Sequence, residues 1–332
     1  MFIVVTGCAG FIGSHLCERL LDAGHEIMGL DALTNNYDRR LKLRNLSRAM
    51  DSARFHFVET TISGAGDHLF QEAEVIFHLA AQPGVSTSWG CEFDTYVTNN
   101  ILDTQILLER ASGSRNLKRL VYASSSSVYG NIASEKVDED HPTHPYSPYG
   151  VTKLAAEHLC SVYGDVHGLP VAMLRLFSVC GPRQRPDMMF HKLIHAALTG
   201  ARFTIYGDGR MERDFTPVMD VVDAFMLASE TSVAQGVFNI ANGTTVSVSQ
   251  AVALVQEACG TRIALEYRGQ RYGDVLRTSA DISKARTLLK YQPKWTLQDA
   301  VRLHVPYVEQ SLSVAQSASN GAGGGANAAS RP

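Results

Sequence analysis

The stretch Ser147-Pro148-Tyr149-Gly150-Val151-Thr152-Lys153 sets a phenol and an ammonium four residues apart. Ser147 is a favoured N-cap residue, and Pro148 suits the first helical position, where its missing N–H leaves no bond unmade. Leu154, Ala155, Leu159, Val162 and Tyr163 follow at helical spacing. Tyr149 and Lys153 are therefore predicted on one helical face, within reach of each other. At an effective dielectric of about 20, a positive charge about 4 Å from the phenol is worth about 4 kcal/mol. At about 1.4 kcal/mol per unit, that brings a tyrosine from about 10 toward about 7. A phenol so tuned is a general base at neutral pH. An ordinary helix start carrying a solvated lysine is the alternative that the pair alone leaves open.

A second constellation opens the chain. In "VVTGCAGFIGSH" an apolar run passes through Gly7, Gly10 and Gly13, with Phe11 and Ile12 between the last two, into a helical pattern. Glycines so spaced allow a tight turn, close backbone approach to a pyrophosphate, and a helix N-terminus that offers unpaired N–H groups. Asp31 ends the second apolar run, "EIMGLD". A carboxylate there accepts both ribose hydroxyls of NAD and repels the 2′-phosphate of NADP. A mere turn residue is the other reading of Asp31; with the glycines in place, NAD is favoured.

Elements must hold these groups. Phe2–Val5, 26–31, 54–58, 75–80, 119–124 and 171–177 read as buried strands. Helical segments near 12–23, 41–50, 96–111 and after Ser147 alternate with them, the pattern of an α/β, doubly wound parallel sheet with helices on both faces. From Ser178 the pattern loosens, as in a smaller C-terminal α/β substrate-binding lobe. The domains expected are 1–177, with about 218–242 returning to it, then 178–312. The Gly/Ala/Ser-rich tail, 313–332, is expected to be disordered.

The chain has 332 residues, 45% hydrophobic and 19% charged, an ordinary globular composition. A net charge of −3 argues against a nucleic-acid surface. Six cysteines without a CxxC pair read as reduced thiols. "MFIVVTG" lacks a basic n-region and a spanning apolar run, so a cytoplasmic protein is expected. His191 and His195 stand four apart, but with no glutamate between them and no third ligand, no metal is expected.

Taken together, Gly7, Gly10, Gly13, Asp31, "HLAA" (78–81), Asn100, "SSSSVYG" (124–130) and the Tyr149/Lys153 pair resemble the extended short-chain dehydrogenases that act on nucleotide sugars. "RLFSVCGPRQRPDM" (175–188), "GDGRMERDF" (207–215) and "YGDV" (272–275) agree, and the likeness spans about residues 1–310. It is strongest to the UDP-sugar 4-epimerases, the UDP-glucuronate type in particular. The resemblance implies a Rossmann fold and a retained NAD held by the glycine turn, Thr61, Ile62, Leu79, Ala80, Ala81, Asn100 and Phe177. It implies that Tyr149 takes the proton of the sugar 4-OH while hydride leaves C4, that Lys153 holds the nicotinamide ribose, and that Ser125 bridges Tyr149 and the 4-OH. A 4-keto sugar then turns over and regains hydride on its other face. Ser126, Ser127 and Ser178 would meet the sugar, Arg185 a C6 carboxylate, Arg213 and Arg271 the diphosphate, and Tyr206 the uracil. A homodimer paired through the 96–111 helix is implied as well.

The two residues after Ser125 separate the reactions of this family. In its 4,6-dehydratases an Asp-Glu pair stands there, and its UDP-glucuronate decarboxylases place a glutamate second. Ser126 and Ser127 cannot do carboxylate acid–base work near neutrality, so 4-epimerisation is the simplest expectation. A UDP-glucose/UDP-galactose (or N-acetylated) epimerase, a decarboxylase or dehydratase, and an idle dinucleotide-sensing protein are the alternatives. Three departures bear on substrate: Thr61 replaces the family's aspartate toward the adenine amine, Cys180 replaces a common tyrosine, and Pro83 follows the "AAQ" turn.

Overall fold

The computed structural model describes residues 1–132, 136–233, 235–270 and 275–322, with side chains through Ser313. The first half runs β1 (Phe2–Thr6), α1 (Phe11–Asp22), β2 (Glu26–Asp31), α2 (Arg39–Met50), β3 (Phe55–Glu59), α3 (Asp67–Gln71) and β4 (Val75–His78). It continues through α4 (Phe93–Tyr96), a π-helical turn (Val97–Leu102), α5 (Asp103–Ser112), β5 (Arg119–Ser125), α6 (Pro148–His167) and β6 (Val171–Leu176). The second half comprises β7 (Ser178–Cys180), α7 (Met189–Thr199), β8 (Arg202–Tyr206), β9 (Glu212–Arg213), β10 (Phe215–Pro217), α8 (Val218–Glu230) and β11 (Gly236–Ile240). Then come β12 (Val246–Ser247), α9 (Val248–Cys259), β13 (Ala264–Arg268), β14 (Arg277–Thr278) and α10 (Leu297–Ala322).

Seven strands form a sheet in the order β11-β6-β5-β4-β1-β2-β3, every neighbouring pair parallel. Its inner strands bury both faces, which is why they read as continuous apolar runs; β3, expected to be buried, is an edge strand that buries only Phe55. In β1, Ile3 and Val5 join one core with Leu16 and Leu20 of α1 and Val221 and Phe225 of α8. Val4 joins a second core, with Leu107 and Leu108 of α5 and Ala156 and Cys160 of α6. The strand order reverses between β1 and β4, and a crevice opens there at the carboxyl ends of the strands.

A third core, from α7, β8, α9 and α10, builds the lobe. The strand β11, from the stretch expected to return, lies on the sheet's β6 edge. The helix α10 carries the chain through Ala322, so helix replaces the disorder expected from 313 to 322; the remainder of that tail, 323–332, lies outside the described residues. The helix expected over 96–111 is interrupted by the π turn, which shifts side-chain directions within it.

Three histidines pack near the junction of sheet domain and lobe: His15 (α1), His191 (α7) and His304 (α10). The rings of His191 and His304 stand 5.7 Å apart, and His15 Nε2 lies 3.0 Å from the Pro182 carbonyl. Burial holds His15 and His191 down at about 4 and His304 at about 3, against an ordinary 6.5. Below 6.5 the unfolded chain takes up protons that the folded chain refuses, so their contribution is complete above 6.5 and lost as pH falls toward 4. The denaturant midpoint is expected to drop between about pH 7 and about pH 5, and less so in His304→Leu. Equal slopes in the two proteins would contradict this.

Candidate active site

The turn after β1 is built around two glycines that nothing larger replaces. Gly7 has φ 70°, and a Cβ on it would stand 2.7 Å from Ala80 N. A Cβ on Gly13 would stand 2.2 Å from the Gly7 carbonyl oxygen. Gly10 caps α1 without a side-chain hydrogen bond, which leaves the helix's first N–H groups open to an anion. Asp31 fixes the turn from β2: Oδ2 accepts from Ala9 N at 3.0 Å, and Oδ1 from Leu33 N at 2.8 Å. Behind it, Asn45 Nδ2 donates to the Ala9 carbonyl at 3.1 Å, and Tyr307 of α10 donates to Asn45 Oδ1 at 2.9 Å. The lobe's last helix thereby holds the phosphate turn from behind, a contact no local sequence pattern announces.

This turn borders a cavity of about 450 Å³. Phe11, Ile12, Asp31, Thr61, Ile62, Leu79, Ala80, Ala81 and Phe177 line it. So do Ser125, Ser126, Ser127, Tyr149, Lys153, Ser178 and Arg185. The fold therefore brings the glycine turn and the Tyr149/Lys153 face into one space.

The pair itself differs from expectation. Ser147 and Pro148 start α6 as predicted, Ser147 Oγ accepting from Gly150 N at 3.1 Å. Lys153, however, reaches back to β5 and donates to the Ala123 carbonyl at 2.9 Å and the Tyr122 hydroxyl at 3.3 Å. It does not act on the phenol as the spacing suggested. Burial pushes the Tyr149 phenol above its ordinary value, opposed by a hydrogen bond with Ser125 and by the Arg185 charge. Burial also brings Lys153 down to about 8. Of its three N–H groups, two are used in these bonds and one remains.

Sequence reasoning missed two supports. Tyr96, fully buried, presents its ring edge-on to Tyr149 with centroids 6.3 Å apart, and its hydroxyl bonds Gly84 O at 2.9 Å and Thr87 Oγ1 at 2.6 Å. Beneath Ser125, Glu157 of α6 forms a buried ion pair with Arg175 of β6 at 2.8 Å and accepts from Ser124. The signal was an arginine inside the apolar run "VAMLRLF".

Other placements depart from expectation. Asn100 does not line the cavity; Asn99 does. Asn100 instead bonds both backbone atoms of Gln82, at 2.7 and 3.1 Å, and Thr152 Oγ1 at 3.0 Å. The π turn that re-registers this helix is the physical reason. Tyr206 lies in a separate hollow of about 490 Å³ with His191, Lys192 and His195. Arg213 donates to the Glu212 and Leu276 carbonyls at 2.9 and 3.3 Å and does not line the cavity. Arg271 lies outside the described residues. The Arg185 fork meets Asp187, at 2.9 and 2.8 Å. Among the described residues, no three His, Cys, Asp or Glu side chains are grouped to hold a metal ion.

Known proteins resemble this chain in sequence and fold. The model of the NAD dependent epimerase/dehydratase family matches residues 3–241. The chain belongs to that family. One relative, the uncharacterized UDP-glucose epimerase YtcB of Bacillus subtilis, is 43% identical over 93% of this chain and 98% of its own length. The UDP-glucuronate 4-epimerase of Thermodesulfobacterium geofontis is 32% identical over 95% of this chain and 98% of its own. The solved structure of UDP-glucuronic acid 4-epimerase from Bacillus cereus, in complex with UDP-glucuronic acid and NAD, matches at TM-score 0.90 with 41% identity. It covers 94% of this chain and 100% of that one. The family's dinucleotide fits the residues present: a cradle that a Cβ would fill, an uncapped helix start for the diphosphate, and Asp31 for a ribose.

Proposed function

We propose that the protein is an NAD-dependent UDP-sugar 4-epimerase, with UDP-glucuronate and UDP-galacturonate as its pair. One observation carries the reading: Tyr149 and Ser125 share a cavity with the glycine turn, while the next two side chains there are the hydroxyls of Ser126 and Ser127. A site so built can oxidise and re-reduce a carbinol but has no carboxylate at that loop to eliminate water.

NAD, when bound, supplies the acceptor and donor of the hydrogen that moves as hydride. The chain does the rest. Asp31 would hold a ribose, the open N–H groups of α1 the diphosphate, and the remaining N–H of Lys153 the second ribose. The Tyr149 oxygen accepts the sugar 4-OH proton through its hydrogen bond with Ser125, then returns it after the 4-ketone has turned over. Arg185 holds the C6 carboxylate, a bidentate match lysine cannot offer.

Asp187 already holds that fork, which favours a second reading, UDP-glucose/UDP-galactose. Arg185→Ala separates them. It is expected to lower kcat/KM for UDP-glucuronate by about tenfold or more, the cost of a hydrogen bond between charged groups, and to spare UDP-glucose. Equal losses would remove the carboxylate role. NMR of a sugar-nucleotide panel without added NAD tests the activity itself, and loss of CO2 or water would refute epimerisation.

We further propose a homodimer. Val151, Val162 and Val166 form an exposed stripe on α6, at 50%, 53% and 70% exposure, and Leu102 of the π turn is exposed as well. Val162→Asp is expected to halve the mass read by light scattering; an unchanged mass would contradict it. A cytoplasmic location is consistent with the six free cysteines, four of them buried. No helix among the described residues is long and apolar enough to cross a membrane.

A further inference from the structure

Asp103, the first residue of α5, is 7% exposed yet lines the cavity of the glycine turn. One carboxylate oxygen, Oδ1, is buried with no hydrogen-bond partner. The carboxylate is not there to cap a helix, because the chain already enters α5 in helical conformation through the π turn. Burial pushes the Asp103 carboxyl above its ordinary value, opposed by the Ser63 hydroxyl and backbone N–H and by the charge of the Arg110 guanidinium. That guanidinium is itself engaged by the Ile62 and Ser63 carbonyls and by Asp67 at 2.8 Å. An ionised oxygen buried and unpaired is costly unless a ligand donor meets it.

The position of Asp103 says which donor. The loop after β3 is tied to the ribose-binding strand by Thr60 N, which donates to the Asp31 carbonyl at 3.1 Å. Thr60, Thr61, Ile62, Asn99 and Asp103 line the cavity together with Asp31. A base attached to the ribose on Asp31 enters this end, with the buried Ile62 as its apolar wall. Thr61, which takes the place of an aspartate in the family resemblance, has little to offer there. Its hydroxyl meets Ser63 Oγ at 3.1 Å and accepts from Gly64 N at 3.0 Å.

We propose that Asp103 accepts the exocyclic amine of the cofactor's adenine, so that a carboxylate from α5 does the work of the missing loop aspartate. It thereby selects an amino-purine dinucleotide over an oxo-purine one. This rests on the NAD reading above.

Calorimetric titration of the full chain, freed of nucleotide, with NAD and with nicotinamide hypoxanthine dinucleotide tests it. The second ligand carries a carbonyl where adenine carries the amine. The wild type is expected to bind NAD about tenfold tighter or more, the effect of one hydrogen bond to a charged group. Asp103→Asn, near-isosteric and able both to accept and to donate, brings the two affinities within about twofold. Ser63→Ala, which removes the hydroxyl that faces the carboxylate and meets Thr61, keeps the ratio. Equal wild-type affinities overturn the proposal. So does a ratio that survives in Asp103→Asn, including the case where both ligands weaken together as a merely structural role requires. A chain that binds neither dinucleotide overturns the cofactor reading instead.

Discussion

Tyr149→Phe is expected to lower kcat by between about 10²- and 10⁴-fold, the span for losing a positioned acid–base group. The binding of substrate and dinucleotide stays unchanged. The phenyl ring keeps its edge contact with Tyr96 at 6.3 Å, so the fold loses only one hydroxyl. Because burial raises the phenol, the wild-type rate climbs with pH above neutrality wherever Tyr149 must shed its proton, and the residual rate of the variant does not. Single-turnover kinetics with bound-nucleotide content measured in parallel check this. A variant that turns over within a few-fold of wild type would leave the cavity without its base.

The second large effect concerns stability. Glu157→Leu strands the Arg175 guanidinium in a site where its own side chain is 7% exposed. Breaking one partner of such a pair costs about 3–5 kcal/mol. The double change Glu157→Leu with Arg175→Met removes the stranded charge and is expected to recover most of that loss. Activity is not expected to recover with it, because Glu157 also binds Ser124, the neighbour of Ser125 on β5. Denaturant midpoints for the three proteins, each paired with kcat, test the separation. Full recovery of kcat in the double variant would show that the pair merely stabilises the fold.

Much of the frame was legible because its causes are local. Continuous apolar runs marked the buried strands, and glycines at fixed spacing marked the turn that Gly7 and Gly13 have no room to vary. Ser147 and Pro148 marked the start of α6. What spacing could not give was side-chain direction. Lys153 is one turn from Tyr149 as read, but the Ala123 carbonyl on another strand draws it away. Within the π turn, likewise, Asn99 lines the cavity while Asn100 turns to Gln82 and Thr152. The supports that hold the site, Glu157 with Arg175 and Tyr307 with Asn45 and Ala9, join residues far apart in sequence, where no periodicity reports them.

The most direct measurement of the central claim is isotopic. The protein is incubated with UDP-glucuronate in deuterium oxide, and the epimer formed is analysed by mass spectrometry and NMR. Tyr149 exchanges only the hydroxyl proton with solvent, while the carbon-bound hydrogen leaves and returns without meeting water. The expected product is therefore UDP-galacturonate with no deuterium at C4. Deuterium at C4 would mean that the hydrogen travels as a proton, and would contradict a phenol that works beside a hydride carrier.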